Sequence, residues 1–153
     1  MRFDRDTLSE ALATVLYLGY CPAVPGTAGS VPALILFWVF HEHTLFWIVL
    51  TVALFALGTA AARNVAAKRG HPDPRSVVVD ELVGMMASLT AFEWSWGTVL
   101  GAFLAFRFFD VVKPFPARML EHVPNGFGIM LDDIVAAVYA SVAVRLALVL
   151  IPH

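Results

Sequence analysis

Leu45-Phe46-Trp47-Ile48-Val49-Leu50-Thr51-Val52-Ala53-Leu54-Phe55-Ala56-Leu57-Gly58-Thr59-Ala60-Ala61-Ala62 carries no charge. An apolar run of about 18 residues is long enough for a helix to cross a bilayer. The pattern recurs on both sides of it: residues 31–40, 82–92, 97–109 and about 129–151 are apolar too. The chain has 153 residues, of which 59% are hydrophobic and 14% charged. Its mean hydropathy is +0.78. A soluble domain holds roughly 45–50% apolar and about 25% charged residues. These features predict an all-α fold: one polytopic membrane helical bundle spanning residues 1–153 as a single domain. There is no internal repeat.

Three of the apolar segments, 31–40, 82–92 and 97–109, offer only roughly 10–13 residues where a full span needs about 20. Either they borrow flanking residues, or some are short or re-entrant helices packed within the bundle. Borrowing would draw Asp80 and Glu81 to headgroup level. At the N-terminus, Thr7-Leu8-Ser9-Glu10 has the form of a capping box. Leu8, Ala11, Leu12, Val15 and Leu16 would then share one face, with Gly19 as the stop. The expectation is an amphipathic interfacial helix of about three turns. Met1-Arg2-Phe3-Asp4-Arg5-Asp6 is mixed in charge and does not read as a cleavable signal peptide.

Charge placement supplies a topology. If the segments cross alternately, Arg2, Arg5, Arg63, Lys68, Arg69, Arg75, Arg107, Lys113 and Arg118 fall on one side. The opposite turns, residues 41–44 and 93–96, hold no Lys or Arg. The positive-inside rule makes the basic side cytoplasmic, giving five passes with the N-terminus inside and the C-terminus outside. Arg145 is left over within the last helix. A net charge of -2 and a pI near 6.2 exclude a nucleic-acid partner, which would select a basic face. The lone Cys21 has no partner for a disulfide or zinc site. His41, His43, His71, His122 and His153 read as solvated or interfacial. Trp38, Trp47, Trp94 and Trp96 read as interface anchors or core.

Four polar clusters fall on the cytoplasmic side. Pro25-Gly26-Thr27-Ala28-Gly29-Ser30 lies in a Gly/Pro-rich loop before an apolar helix, where backbone N–H groups could meet an anion and Ser30 could be the N-cap. Asp80-Glu81 heads an apolar helix; adjacent helical positions diverge by about 100°, so one would bind an ion while the other orients or caps. Gly84 leaves room beside that face. Arg107, Asp110 and Lys113 stand at i, i+3 and i+6 in an apolar stretch, two cations around one carboxylate. Asp132-Asp133 follows the flexible Asn125-Gly126-Phe127-Gly128 and diverges by the same argument. Five carboxylates at three membrane-boundary positions would repel if they converged, and a divalent cation would relieve them. Hard oxygen donors point to Mg²⁺.

Tyr17-x-Gly19-x-x-Pro22-x-x-Pro25-Gly26-Thr27-x-Gly29-Ser30, Asp80-Glu81-x-x-Gly84, Phe106-Arg107-x-x-Asp110-x-x-Lys113-Pro114-x-Pro116 and Gly128-Ile129-Met130-x-Asp132-Asp133-Ile134 resemble the phosphatidylglycerophosphatase A family. The likeness runs from about Ala11 to Tyr139. It departs at Ala137, where glycine is expected, and in the short segment before Tyr17. The resemblance implies a multi-pass, Mg²⁺-dependent enzyme of the bacterial inner membrane with its active site on the cytoplasmic side. Such an enzyme hydrolyses phosphatidylglycerophosphate to phosphatidylglycerol and phosphate, a step of phospholipid biosynthesis. It further implies catalysis and metal ligation by Asp80, Glu81, Asp110, Asp132 and Asp133, and substrate phosphate binding by Gly26, Thr27, Gly29, Ser30, Arg107 and Lys113. Metal-activated water with a carboxylate as general base is the favoured chemistry, and an aspartyl-phosphate through Asp80 or Asp132 the alternative. The partners implied are the lipid substrate and the bilayer; a homo-oligomer is compatible with the sequence. The competing readings are a phosphatase of another lipid phosphomonoester, and a non-enzymatic membrane subunit or small transporter, which Arg145 alone favours. The spaced Asp residues of a CDP-alcohol phosphotransferase and the His loop of histidine-based lipid phosphatases do not occur.

Overall fold

In a computed structural model, residues 5–120, 123 and 126–150 are described. They form seven α-helices: α1 (Arg5–Ala13), α2 (Pro25–Phe40), α3 (Thr44–Arg69), α4 (Val79–Leu89), α5 (Trp96–Val112), α6 (Ala117–Leu120) and α7 (Phe127–Leu150). A 3-10 turn, Leu18–Tyr20, joins α1 to α2, and no strand occurs among the described residues. The all-α expectation holds. The readings at residues 1–4, His122, Pro124, Asn125 and 151–153 lie outside the described residues.

The short helix α4 is the hub. Val79, Leu82, Val83, Met85, Met86 and Leu89 are all buried, and α2, α3, α5 and α7 pack around them. Each such side chain removed from a polar medium contributes about 1.5–3 kcal/mol. Small residues let the neighbours close in: Ala61 and Ala62 on α3, Ala102 on α5, and Ala136, Ala137 and Ala140 on α7 are buried. Trp47 belongs to the core, its indole N–H directed at Met86 C=O (3.2 Å) and Thr90 Oγ1 (3.1 Å). Trp38 and Trp96 are exposed, among a belt of exposed apolar residues that includes Ile35, Val52, Leu100, Leu104, Val142 and Leu146.

Segment lengths decide which expectations stand. Two helices are long and apolar enough to cross a membrane, α3 with 26 residues and α7 with 24. Helix α2 borrows Pro25 to Ser30 and reaches 16 residues, while α5 borrows Trp96 and Asp110 to Val112 and reaches 17. Helix α4 stays at 11 residues, with Asp80 and Glu81 in its first turn. The stretch from Pro25 to Ser30 is therefore not a loop. Proline has no N–H to lose at the first helical position and its φ is already helical, so the helix starts there. Helix α3 continues past Ala62 to Arg69, because alanines and long basic side chains are good helix formers, and stops at Gly70 with φ 62°.

Helix α1 also departs from its expected bounds. It already includes Arg5, the first described residue, which places Thr7 inside the helix, and it ends at Ala13 rather than near Gly19. The Thr14 hydroxyl donates to Glu10 C=O (2.7 Å) and accepts from Tyr17 N–H (3.0 Å). Val15, Leu16 and Tyr17 then take left-handed φ values of 47°, 53° and 69°. Val15 turns inward and Leu16 outward, so the five-residue apolar face does not form. Ion pairs from Lys68 to Asp6 (2.6 Å) and from Arg69 to Glu10 tie α1 to the end of α3.

The starts of α2, α4 and α7 and the ends of α3 and α5 gather at one pole of the bundle. Arg63, Lys68, Arg69, Arg75, Arg107, Lys113 and Arg118 all belong to that pole's elements. Arg145 reaches the other pole, where its Nη2 donates to Ala91 C=O (2.6 Å) and its guanidinium lies over Phe92. It is an anchor for the turn after α4, not a charge in mid-crossing.

A Cβ at Gly84 would lie 2.8 Å from the Phe106 ring and 3.0 Å from Asp133 Cβ, whereas one at Gly97 would meet nothing within 4 Å. Gly84→Ala should therefore lower stability by about 1–3 kcal/mol through overpacking, less up to about 1 kcal/mol of helix propensity. Gly97→Ala should cost nothing. Thermal unfolding of the two variants in detergent checks this, and equal melting temperatures would contradict it.

Candidate active site

Carboxylates at a helix start are stabilised by the unpaired N–H groups of the first turn, which favours Asp80 and Glu81 where they stand. Asp133 enters from α7, because Gly84 lets that helix approach α4 closely. One oxygen from each of Asp80, Glu81 and Asp133 lies within 4.8 Å of the others. Asp80 and Asp133 are buried. Asp80 Oδ1, Glu81 Oε2 and Asp133 Oδ2 are shielded and have no hydrogen-bond partner. Two carboxylates at such separations repel by about 3 kcal/mol at an effective dielectric constant near 20. An arrangement of this kind holds together at neutral pH when a cation or protons compensate it.

The cluster faces a cleft of about 350 Å³ whose wall also includes Gly26, Thr27, Arg107, Asp110 and Lys113. Gly26 is buried against the site: a Cβ there would overlap Glu81 Oε1 and lie 2.9 Å from Arg107 Nη2. The first intrahelical amide bond of α2 runs from Ala28 N–H to Val24 C=O (3.0 Å). The amides of Gly26 and Thr27 precede it, so they have no intrahelical acceptor and border the cleft. Gly29 and Ser30 lie one turn further in and do not line the cleft. Gly29 packs on Val78, and the buried Ser30 hydroxyl donates to Gly26 C=O (3.0 Å), so Ser30 is neither N-cap nor cleft donor.

The basic residues arrive already compensated. Arg107 Nη1 lies 2.7 Å from Asp110 Oδ2, yet it makes no hydrogen bond, so this is a charge contact off the N–H direction. Lys113 is turned out of α5 by a left-handed φ of 47° and pairs with Asp132 Oδ2 (2.6 Å). Asp132 and Asp133 therefore diverge as helix geometry expects: Asp133 joins the cluster and Asp132 takes Lys113. Asp80 and Glu81 do not diverge. They sit at the helix end, and the longer Glu81 side chain reaches back to the same point. Of the five expected carboxylates, three converge, Asp110 lines the wall beside Arg107, and Asp132 is not in the cleft lining. Two lining residues had gone unread as site residues, Asp73 and Arg75. Their only sequence signal was position, a charged pair just before Asp80 hidden within a Pro-rich turn.

The donor set fits Mg²⁺. It offers a few hard carboxylate oxygens, no thiol or imidazole in the cluster, and cleft space for water and a phosphate. The orphaned oxygens of Asp80, Glu81 and Asp133 are the ones that would hold it.

The sequence model of the family described as phosphatidylglycerophosphatase A matches residues 11–148. The chain is 39% identical over 132 residues to the phosphatidylglycerophosphatase A of Haemophilus influenzae, covering 82% of this chain and 80% of that protein. It is 38% identical over 130 residues to the protein of that name in Escherichia coli, covering 80% and 73%. A protein of Bacteroides thetaiotaomicron named "Putative phosphatidylinositol-3-phosphatase" is 37% identical over 138 residues, covering 84% and 86%. No solved structure matches the chain.

Removing one charge from the uncompensated cluster should stabilise the metal-free protein. In EDTA, Asp133→Asn should melt several degrees above the unsubstituted chain, since about 3 kcal/mol of repulsion is relieved per pair. Mg²⁺ should then raise the melting temperature of the unsubstituted chain and leave that of Asp133→Asn nearly unchanged. A destabilised Asp133→Asn in EDTA would mean that the carboxylate is structural.

Proposed function

Since the chain belongs to the phosphatidylglycerophosphatase A family and is a phosphatase, we propose that it releases the terminal phosphate of phosphatidylglycerophosphate in a Mg²⁺-dependent reaction at the cytoplasmic face of the bacterial inner membrane. The observation that carries this reading is the convergence of three orphaned carboxylates beside Arg107 and the open amides of α2. A phosphomonoester dianion calls for charge neutralisation and an in-line nucleophile more than for covalent chemistry by the protein. Asp80, Glu81 and Asp133 would hold the metal, which when bound would supply charge neutralisation and lower the pKa of water. Arg107 and the Gly26 and Thr27 amides hold the phosphoryl oxygens, and Asp110 orients Arg107. Water attacks phosphorus opposite the leaving glycerol oxygen, and a cleft carboxylate takes its proton. The P–O bond to glycerol breaks, the leaving oxygen takes up a proton from solvent, and phosphatidylglycerol and inorganic phosphate depart. Asp132 acts through Lys113, setting where that ammonium stands.

The multi-pass arrangement has its support in α3, α7 and the exposed apolar belt. The gathering of Lys and Arg at the cleft's pole supports a cytoplasmic site. A second reading, hydrolysis of another lipid phosphomonoester, is favoured by the name of the Bacteroides relative. The non-enzymatic reading rested on Arg145 and lapses with the anchoring of that residue at the far turn.

Purified protein should release phosphate from phosphatidylglycerophosphate with Mg²⁺ and not with EDTA, and faster than from phosphatidylinositol 3-phosphate. The reverse preference would select the second reading. Arg107→Ala should lower kcat by about 10²–10³ if it stabilises charge that builds in the transition state. A change confined to KM would make Arg107 a docking group.

A further inference from the structure

The rim of the cleft is formed by the segment between Gly70 and α4, and Asp73 and Arg75 line the cleft from it. The other two lining cations already face carboxylates, Arg107 at Asp110 and Lys113 at Asp132. Arg75 is exposed and, among the described residues, makes no ion pair. The backbone beneath it is held. Pro74 is buried and its C=O accepts Val77 N–H (2.8 Å). The next residue, Ser76, is buried and accepts a hydrogen bond from Arg69 Nη1 (2.5 Å). Arg69 also bonds to Tyr20 and Glu10, so the turn is fastened to α1 and α3. An uncommitted guanidinium thus stands on a fixed turn at the mouth of a site whose other cations already face carboxylates.

A lipid whose terminal phosphomonoester is joined to diacylglycerol through a phosphodiester carries two anions, one beyond the other. With the monoester at the carboxylate cluster, the diester lies further out, towards the rim. We propose that Arg75 binds this second, non-reacting phosphate, and so selects lipids that carry a phosphodiester inside the terminal phosphate over phosphatidic acid, which has none. The assignment rests on the hydrolase reading above. Guanidinium pairs with phosphate oxygens through two parallel N–H donors, a geometry lysine lacks. Because the contact forms in both ground and transition states, it affects binding and not turnover.

The test measures calorimetric binding of short-chain phosphatidylglycerol and short-chain phosphatidic acid to the purified full chain with Mg²⁺. It is run on the unsubstituted protein, Arg75→Ala and Arg75→Lys, beside KM and kcat for phosphatidylglycerophosphate. Arg75→Ala should weaken phosphatidylglycerol binding and raise KM by about tenfold, with kcat within about twofold and phosphatidic acid binding unchanged. Arg75→Lys should recover part of the loss. Equal weakening of both lipids, or no weakening of phosphatidylglycerol, would overturn the assignment. If no chain releases phosphate, the hydrolase reading falls, while the binding arm still decides Arg75.

Discussion

Mutual repulsion among buried carboxylates is the constraint around which this bundle is arranged. Asp80, Glu81 and Asp133 bring oxygens within 4.8 Å of one another where solvent barely reaches. A cluster like this costs stability unless something positive joins it. The nearest positive groups do not neutralise it, because Arg107 is engaged with Asp110 and Lys113 with Asp132. The cations are therefore close but committed, and the carboxylate oxygens stay without a hydrogen-bond partner. Such an arrangement costs stability in itself and is what the Mg²⁺ and phosphate site proposed above would require.

The apolar part of the molecule exists to hold that arrangement. Helix α4 is walled by four other helices and contributes almost nothing to the surface except its acidic end. Its position is fixed by close approaches that a single methyl group would spoil, at Gly26 beside Glu81 and at Gly84 beneath Phe106 and Asp133. The same small residues that permit tight helix packing thus also set the spacing of the acids. Packing and chemistry meet at the same positions.

Much of this was legible in the sequence, and the exceptions have physical causes. Apolar runs and sparse charge specified helices, and one-sided Lys and Arg specified which ends share a pole. Asp133 and Asp132 separated as helical geometry requires. Asp80 and Glu81 defied the same rule because a helix end and a longer side chain relax it. Ser30 and Gly29 looked like part of an anion loop, yet Pro25 starts the helix early and turns them into the core. The end of α1 was invisible, since a run of left-handed residues without glycine has no sequence signature. Asp73 and Arg75 went unread because the Pro-rich turn that carries them resembles punctuation, and only tertiary folding brings it over the cleft.

The length of α3 bears on more than its capacity to cross a membrane. At 26 residues it measures about 39 Å, against an apolar bilayer thickness of about 30 Å. In the membrane-spanning arrangement proposed above, its last turns, rich in Lys and Arg, would stand clear of the hydrocarbon like a mast. The turn bearing Asp73 and Arg75 follows those turns in the chain, so the elevation of the cleft's lip above the lipid surface would then be set by helix length. A membrane of different thickness would shift the mast and the lip together, and the distance a headgroup must climb would change with it.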